Sequence, residues 1–288
     1  MKLKFLVSFL FLISFSALAN DGQKVIYGKD DREDVVNVFD NLLVDKSRST
    51  AGMFSSSALS LQSNGFYKVI GKTLVERGWC SSERFSNQIT APTCSGFLIA
   101  PDVLVTAGHC VSRSSDCKNY KWAFDYKIAA PSDITTMIPK NSVYSCKAII
   151  ATVNSSTTKD DYAMIRLDRP VTDRPALEIR TSGKIADGAA IVLIGHPKGL
   201  PIKIAGGSNV RSNAATKYFV ANLDSYGGNS GSAVIDAATG VVEGILVRGE
   251  SDYTTTSAGC YISYVCPDTG CRGEDITRIT NLPRVLKK

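Results

Sequence analysis

The chain has 288 residues, 44% of them hydrophobic, with 33 Lys and Arg against 27 Asp and Glu. That apolar content excludes a disordered chain, and the length allows one or two domains with sizeable cores. A formal net charge of +6 with no block of like charges excludes a dedicated nucleic-acid face, so no nucleic-acid partner is expected.

Residues 1–19 read as a secretory signal. Lys2 and Lys4 form the positive start, Phe5 to Phe15 form an apolar run, and Ala17-Leu-Ala19 offers small residues for cleavage. The run is too short to span a bilayer, and no later stretch is longer and equally apolar. The expected location is secreted or periplasmic, with no membrane association after signal removal. The 8 cysteines behind such a leader read as disulfides. Zinc on Cys260, Cys266 and Cys271 is the rival, and a chain with only 2 histidines disfavours it.

Val35, Val38, Phe39, Leu42 and Leu43 fall at helical spacing, which predicts a short amphipathic helix over 35–43. Ser47 to Ser63 is serine-rich without a clear period and reads as loop or weak strands. From about Phe66 to Leu167 the pattern turns to short β runs. Phe97-Leu-Ile-Ala100, Pro101-Asp102 and Val103-Leu-Val-Thr106 make a hairpin that delivers Ala107-Gly-His-Cys110 at its far end. His109 is suited to general-base work near neutrality, although taken alone it reads rather as a structural histidine at a strand end.

Lys159 to Leu167 holds two adjacent acids. Asp161 shares a strand face with Ala163, Ile165 and Leu167, while Asp160 falls on the face of Tyr162, Met164 and Arg166. Asp161 is therefore expected to aim inward and Asp160 to be solvated. Two prolines between Leu167 and Ala176 mark a crossing between domains. Ala189–Ile194, Tyr218–Leu223 and Val241–Val247 read as strands, His196 as a loop residue with a local hydrogen bond, and 274–288 as a short helix and basic tail. No internal repeat is visible.

Tyr226-Gly-Gly-Asn-Ser-Gly-Ser232 places Ser230 on a tight turn with small neighbours. The N–H groups of Gly228 and Ser230 are candidates to hold an oxyanion.

Thr106-Ala-Gly-His-Cys110 resembles the histidine motif of chymotrypsin-like serine endopeptidases, and Asp161-Tyr-Ala163 resembles that family's acid motif. The order His109, Asp161, Ser230 is also the family's. The resemblance implies an all-β fold of two six-stranded antiparallel barrels with the active site between them. Residues 20–24 would be a short propeptide, 25–172 an N-terminal extension and first barrel, and 173–288 the second barrel. It implies a Cys94–Cys110 bridge; Cys117 and Cys146 are candidates for a second, and Cys80, Cys260, Cys266 and Cys271 stay unassigned. The activity implied is peptide-bond hydrolysis through an acyl-enzyme, on protein or peptide substrates, by a monomer with no metal or cofactor. The rivals are a silent protease-like binding protein and an esterase using the same serine.

The pocket for the residue before the scissile bond would be bordered by Asp224, Ser225, Leu246 and Gly249. Asp224 resembles the trypsin acid that selects Arg or Lys. Asp224-Ser225 also occurs in the glutamyl endopeptidase branch, so the preference stays open between basic and acidic. Val25 to Arg32 resembles the mature N-terminus of that branch, and Asn229 replaces the aspartate that trypsin-type activation needs. Processing after Lys24 is therefore expected over processing after Lys68. A histidine expected near Leu246 in the glutamyl branch is absent, and the stretch from Val25 to His109 is longer than usual.

Overall fold

Two sheets, each closed on itself by antiparallel pairing, organise the computed structural model, which describes residues 25–130, 133 and 137–283. The signal and propeptide expectations (1–24) and the basic tail (284–288) lie outside the described residues. The first barrel comprises β1 (Thr50–Ser55), β2 (Cys94–Ala100), β3 (Val103–Thr106), β4 (Tyr120–Ala123), β5 (Val143–Asn154) and β6 (Asp161–Leu167). They close in the order β1-β2-β3-β6-β5-β4. The second comprises β7 (Ala190–Gly195), β8 (Lys203–Ser212), β9 (Tyr218–Ala221), β10 (Ala233–Asp236), β11 (Val242–Arg248) and β12 (Glu274–Arg278). These close as β7-β8-β9-β12-β11-β10. Both barrels follow one path, first-second-third-sixth-fifth-fourth. The repeat is topological and leaves no trace in the residues.

The cores follow from strand alternation. On β7, Ile191 and Leu193 enter the second-barrel core with Val210, Phe219, Leu246 and Ile276. The alternate residues Val192 and Ile194 join a larger cluster that includes Leu98, Val105 and Ile165 of the first barrel. One apolar seam thus welds the barrels together. Such burial stabilises by ~25 cal/mol per Å² of apolar surface removed from water.

The chain before β1 is shared. Ile26–Tyr27 runs parallel to Val265–Cys266, and Arg32–Asp34 adds antiparallel to β8. Lys203, 2% exposed, donates to Asp34 at 2.6 Å and to Gln88 at 2.7 Å, which anchors this segment.

Two expectations are corrected, the helix position and the exposure of Asp160, and two are narrowed. The helix is not at 35–43 but at Asn41–Ser47, where Asp40 Oδ1 accepts from Leu42 N at 2.9 Å and caps it. Phe39, read as part of its apolar face, is 98% exposed. Ser47–Ser63 resolves to the strand reading, with the barrel strand β1, whose small residues let the chain pass close to its neighbours, and a short strand at Leu59–Leu61. A Cβ on Gly52 would lie 2.9 Å from both Phe54 and Pro92. Within 274–288 the first residues, Glu274–Arg278, form a strand of the second barrel, and the short helix is confined to the 3-10 turn Ile279–Asn281 that follows it. Asp160 is only 6% exposed, because Asn281 Nδ2 donates to it at 2.8 Å and Lys217 pairs with it at 3.4 Å.

All eight cysteines are paired: Cys94–Cys110 and Cys117–Cys146 as expected, with Cys80–Cys260 and Cys266–Cys271 completing the set. This removes the zinc reading of Cys260, Cys266 and Cys271, since a bridged sulfur is no thiolate ligand. The same applies to Cys94 and Cys110, the only metal-type cluster with a histidine among the described residues.

Candidate active site

His109 follows the end of β3, and Asp161 opens β6. The two strands are paired, with Ala163 opposite Thr106. Gly108 allows the connecting turn to lie against the sheet, because a Cβ there would meet the Val153 carbonyl at 1.9 Å. His109 then reaches one carboxylate twice. Its backbone N–H donates to Asp161 Oδ1 at 3.1 Å, and Nδ1 lies 2.8 Å from Oδ2. A carboxylate partner fixes the proton on Nδ1 and leaves Nε2 as the basic atom. The Asp161 side chain is 3% exposed and that of His109 35%. Burial alone would raise the Asp161 carboxyl. The hydrogen bonds and charge of His109, with the Arg248 guanidinium, hold it below the usual carboxylate value.

The Ser230 turn comes from the second barrel. Asn229 N donates to Tyr226 O at 3.0 Å and Ser232 N to Asn229 O at 2.8 Å, while Gly228 and Gly231 take φ of 98° and 90°. The turn is docked onto the first barrel. Ser95 N donates to Ser230 O at 2.8 Å. A Cβ on Gly231 would lie 2.0 Å from Ser95 O and 3.0 Å from Ala107 N. Ser95 adjoins Cys94, which is bridged to Cys110 beside His109. One short path of covalent and hydrogen bonds therefore joins the serine turn to the histidine turn.

The peptide between Gly227 and Gly228 has a defined direction. Gly227 O accepts from Lys198 N at 2.6 Å. A trans peptide points its C=O and N–H in opposite directions, so the Gly228 N–H is turned away from the 196–199 loop. Ser95 Oγ holds the next carbonyl, donating to Gly228 O at 2.8 Å while accepting from His196 N at 2.9 Å.

Residues 94–245 match the family described as "Trypsin-like peptidase domain", a span of just over half the chain. This chain belongs to that family. A solved structure titled "Structure of Glu endopeptidase in complex with MPD" superimposes with a TM-score of 0.50 at 17% identity, covering 89% of this chain and 94% of that one. That likeness concerns the fold. No curated protein matches the chain.

In this trypsin-like peptidase domain the four residues expected around the specificity pocket lie as follows. Asp224, 2% exposed, accepts from Tyr27 N and Asp31 N at 2.7 Å each, one on each oxygen. Burial pushes its carboxyl up to about 7, against the lowering effect of those two N–H groups. Ser225 N donates to Val25 O at 3.2 Å, and its Oγ donates to Glu274 Oε2 at 2.9 Å. Leu246 is fully buried in the second core and is no surface-lining residue. Gly249 lies against Glu274, where a Cβ would meet the carboxylate at 1.8 Å.

Asn229 is 1% exposed, and its Oδ1 accepts from Ser232 Oγ at 3.2 Å, so its amide serves the turn itself. His196 sits in its loop with Nδ1 2.9 Å from Leu200 O, fully buried and stacked on Tyr126. Burial pushes its pKa down to about 4, so it is neutral.

Sequence reading missed four residues of the site. Ser95 and Lys198 act through the backbone of the serine turn. Arg248 lies 3.5 Å from Asp161 Oδ2 and donates to Lys159 O at 2.8 Å. It also bonds Asp275 at 3.2 Å. Glu274 lies beside Ser225 and Gly249. Only the last had a usable signal, an acid next to a glycine on a strand after the serine motif.

Proposed function

We propose that this peptidase domain is a secreted serine endopeptidase working through Ser230, His109 and Asp161. The observation that carries the reading is the double contact of His109 with the Asp161 carboxylate, at the end of the hairpin on which the Ser230 turn is docked. His109 Nε2 takes the Ser230 proton as its oxygen attacks the scissile carbonyl carbon. The oxyanion is held by the N–H groups of Gly228 and Ser230. The tetrahedral intermediate collapses with protonation of the leaving amine by His109, giving an acyl-enzyme that water hydrolyses by the same steps. Asp161 keeps the imidazole in the required tautomer and stabilises its charged form. No step in this sequence calls for a metal.

The supporting features of secretion are the leader at 1–19 and four disulfides, which persist in oxidising compartments. No helix among the described residues is long and apolar enough to cross a membrane. Processing after Lys24 is preferred. The alternative site, Lys68–Val69, lies inside a strand paired on both sides, to Met137 and to Ser60. Digestion of a peptide library by the purified protein tests the activity. Cleavage by the unmodified protein and none by Ser230→Ala is expected; equal cleavage by both would refute it. N-terminal sequencing of secreted Ser230→Ala separates self-processing from processing by another protease.

A further inference from the structure

A cavity of about 210 Å³ opens beside His109. Its wall is formed by His109 and Asp161, by Asn154 and Lys159 of the turn between β5 and β6, and by Val247 and Arg248 at the end of β11. That volume is below the ~300–1,000 Å³ of a small-molecule site and suits a side chain of a longer substrate. Gly231 N donates to Leu246 O at 2.8 Å and Leu246 N to Ser232 O at 3.1 Å, so β11 is fixed alongside the serine turn. From there it passes the cavity and reaches Gly249, one of the residues expected around the pocket for the residue before the scissile bond. An extended substrate lying along this strand end sends successive side chains to alternate sides. The residue before the scissile bond and the one preceding it are thereby separated, and the second of these meets the cavity.

The acids around the cavity are all committed, and one cation is not. His109 holds both oxygens of Asp161, at 3.1 and 2.8 Å. Asp160 accepts from Asn281 Nδ2 at 2.8 Å and pairs with Lys217 at 3.4 Å. Asp275 is shared between Arg248 at 3.2 Å and Arg272 at 2.6 Å. Lys159 is exposed, and its ammonium has no ion-pair partner among the described residues. Its backbone is fixed all the same. Lys159 N donates to Ser155 O and Ser155 N to Asp160 O, both at 2.9 Å, while Arg248 Nη2 donates to Lys159 O at 2.8 Å. Lys159 also takes φ of 61°, a left-handed conformation that glycine adopts without steric cost. A lysine at a position that favours glycine, on a braced turn at the rim of a cavity, is a placed charge.

We infer that Lys159 is a specificity-determining residue, and that the enzyme prefers substrates with Asp or Glu as the second residue before the scissile bond. This rests on the catalytic reading of Ser230, His109 and Asp161 given above. A carboxylate entering the cavity meets the Lys159 ammonium with a charge-assisted hydrogen bond, and the Arg248 guanidinium adds positive charge to the same wall. A Lys or Arg side chain in that place is repelled by both. Because Lys159 is open to solvent, the preference weakens with salt.

The test compares kcat/KM for peptides that differ only at that second residue, which is Glu, Gln, Leu or Lys. The residue before the scissile bond is held constant at the one a peptide library shows to be cut best. The unmodified enzyme should favour Glu over Lys by about tenfold or more at low ionic strength, with Gln between them. Lys159→Gln should bring that ratio to within about threefold of unity, and Lys159→Arg should keep it. Equal rates for Glu and Lys in the unmodified enzyme, or a ratio preserved in Lys159→Gln, would overturn the inference. Should the variants fail to fold, the unmodified protein still reports. Its Glu-over-Lys ratio should shrink as salt is raised to about 0.5 M, and a salt-independent ratio would count against the charge. If a fluorophosphonate labels Ser230 and peptides are cut without this preference, the inference alone fails. If Ser230 is not labelled at all, the catalytic reading itself fails, and the inference falls with it.

Discussion

The backbone N–H and Nδ1 of His109 reach different oxygens of one carboxylate, that of Asp161, at 3.1 and 2.8 Å. The acid thus fixes both the position of the histidine's backbone and the tautomer of its ring. In Asp161→Asn one of these bonds survives, while the amide favours the wrong tautomer. The expected loss in kcat is about 10⁴-fold, with near-native stability. Peptide hydrolysis and thermal unfolding of the variant, measured together, check both halves of this statement.

Ser95 links the two barrels through its hydroxyl, which donates to Gly228 O and accepts from His196 N. Ser95→Ala leaves the buried His196 N–H and the part-buried Gly228 carbonyl without that partner. A stability loss of about 1–3 kcal/mol is expected. Because the Gly228 peptide loses an anchor, kcat should fall by roughly tenfold or more with KM little changed, as expected when an interaction made only in the transition state is weakened. A change confined to KM would contradict the assigned role.

Gly228 has φ of 98°, and a Cβ at this position would lie 2.6 Å from His196 O and 2.8 Å from Gly199 N. Gly228→Ala must shift the peptide whose N–H is proposed to hold the developing oxyanion. A drop in kcat of about 10²–10³-fold is expected, comparable to the loss of one oxyanion donor. Steady-state kinetics on any cleaved peptide will show it.

His196 is buried and neutral, and its lowered pKa of about 4 makes stability depend on pH. Above the unfolded value of about 6.5 neither state binds the proton and the effect is absent. As pH falls from there toward 4, the unfolded chain takes up the proton and the folded one does not, so stability falls by about 3 kcal/mol at most. Urea unfolding at pH 7 and pH 4.5 should show a smaller decline for His196→Gln than for the unmodified protein.

The residues of the proposed triad are legible because each sits in a motif a few residues long. Thr106–Cys110, Asp161–Ala163 and the glycine-flanked Ser230 announce themselves without knowledge of distant partners. The residues that hold these motifs together were not legible. Ser95 and Lys198 act on a peptide more than 25 residues away in the chain, and nothing around them signals it. Strand β1 is left open between loop and weak strand because Ser, Thr and Gly around Ala51 and Met53 resemble loop composition until barrel closure buries them. Strand β12 was hidden because Glu274, Asp275, Thr277 and Arg278 look like an exposed face. Their burial is made tolerable by partners such as Ser225, Arg248 and Asn213, which only the fold assembles. The burial of Asp160 is illegible for the same reason, its partners coming from Lys217 and Asn281 of the second barrel.

The most direct test of the account is to treat the processed protein with a fluorophosphonate and locate the adduct by mass spectrometry. A single adduct on Ser230 is predicted in the unmodified protein, forming about 1000-fold or more slowly in His109→Ala. An unmodified Ser230, or equal rates in the two proteins, would contradict the claim that His109 activates this serine.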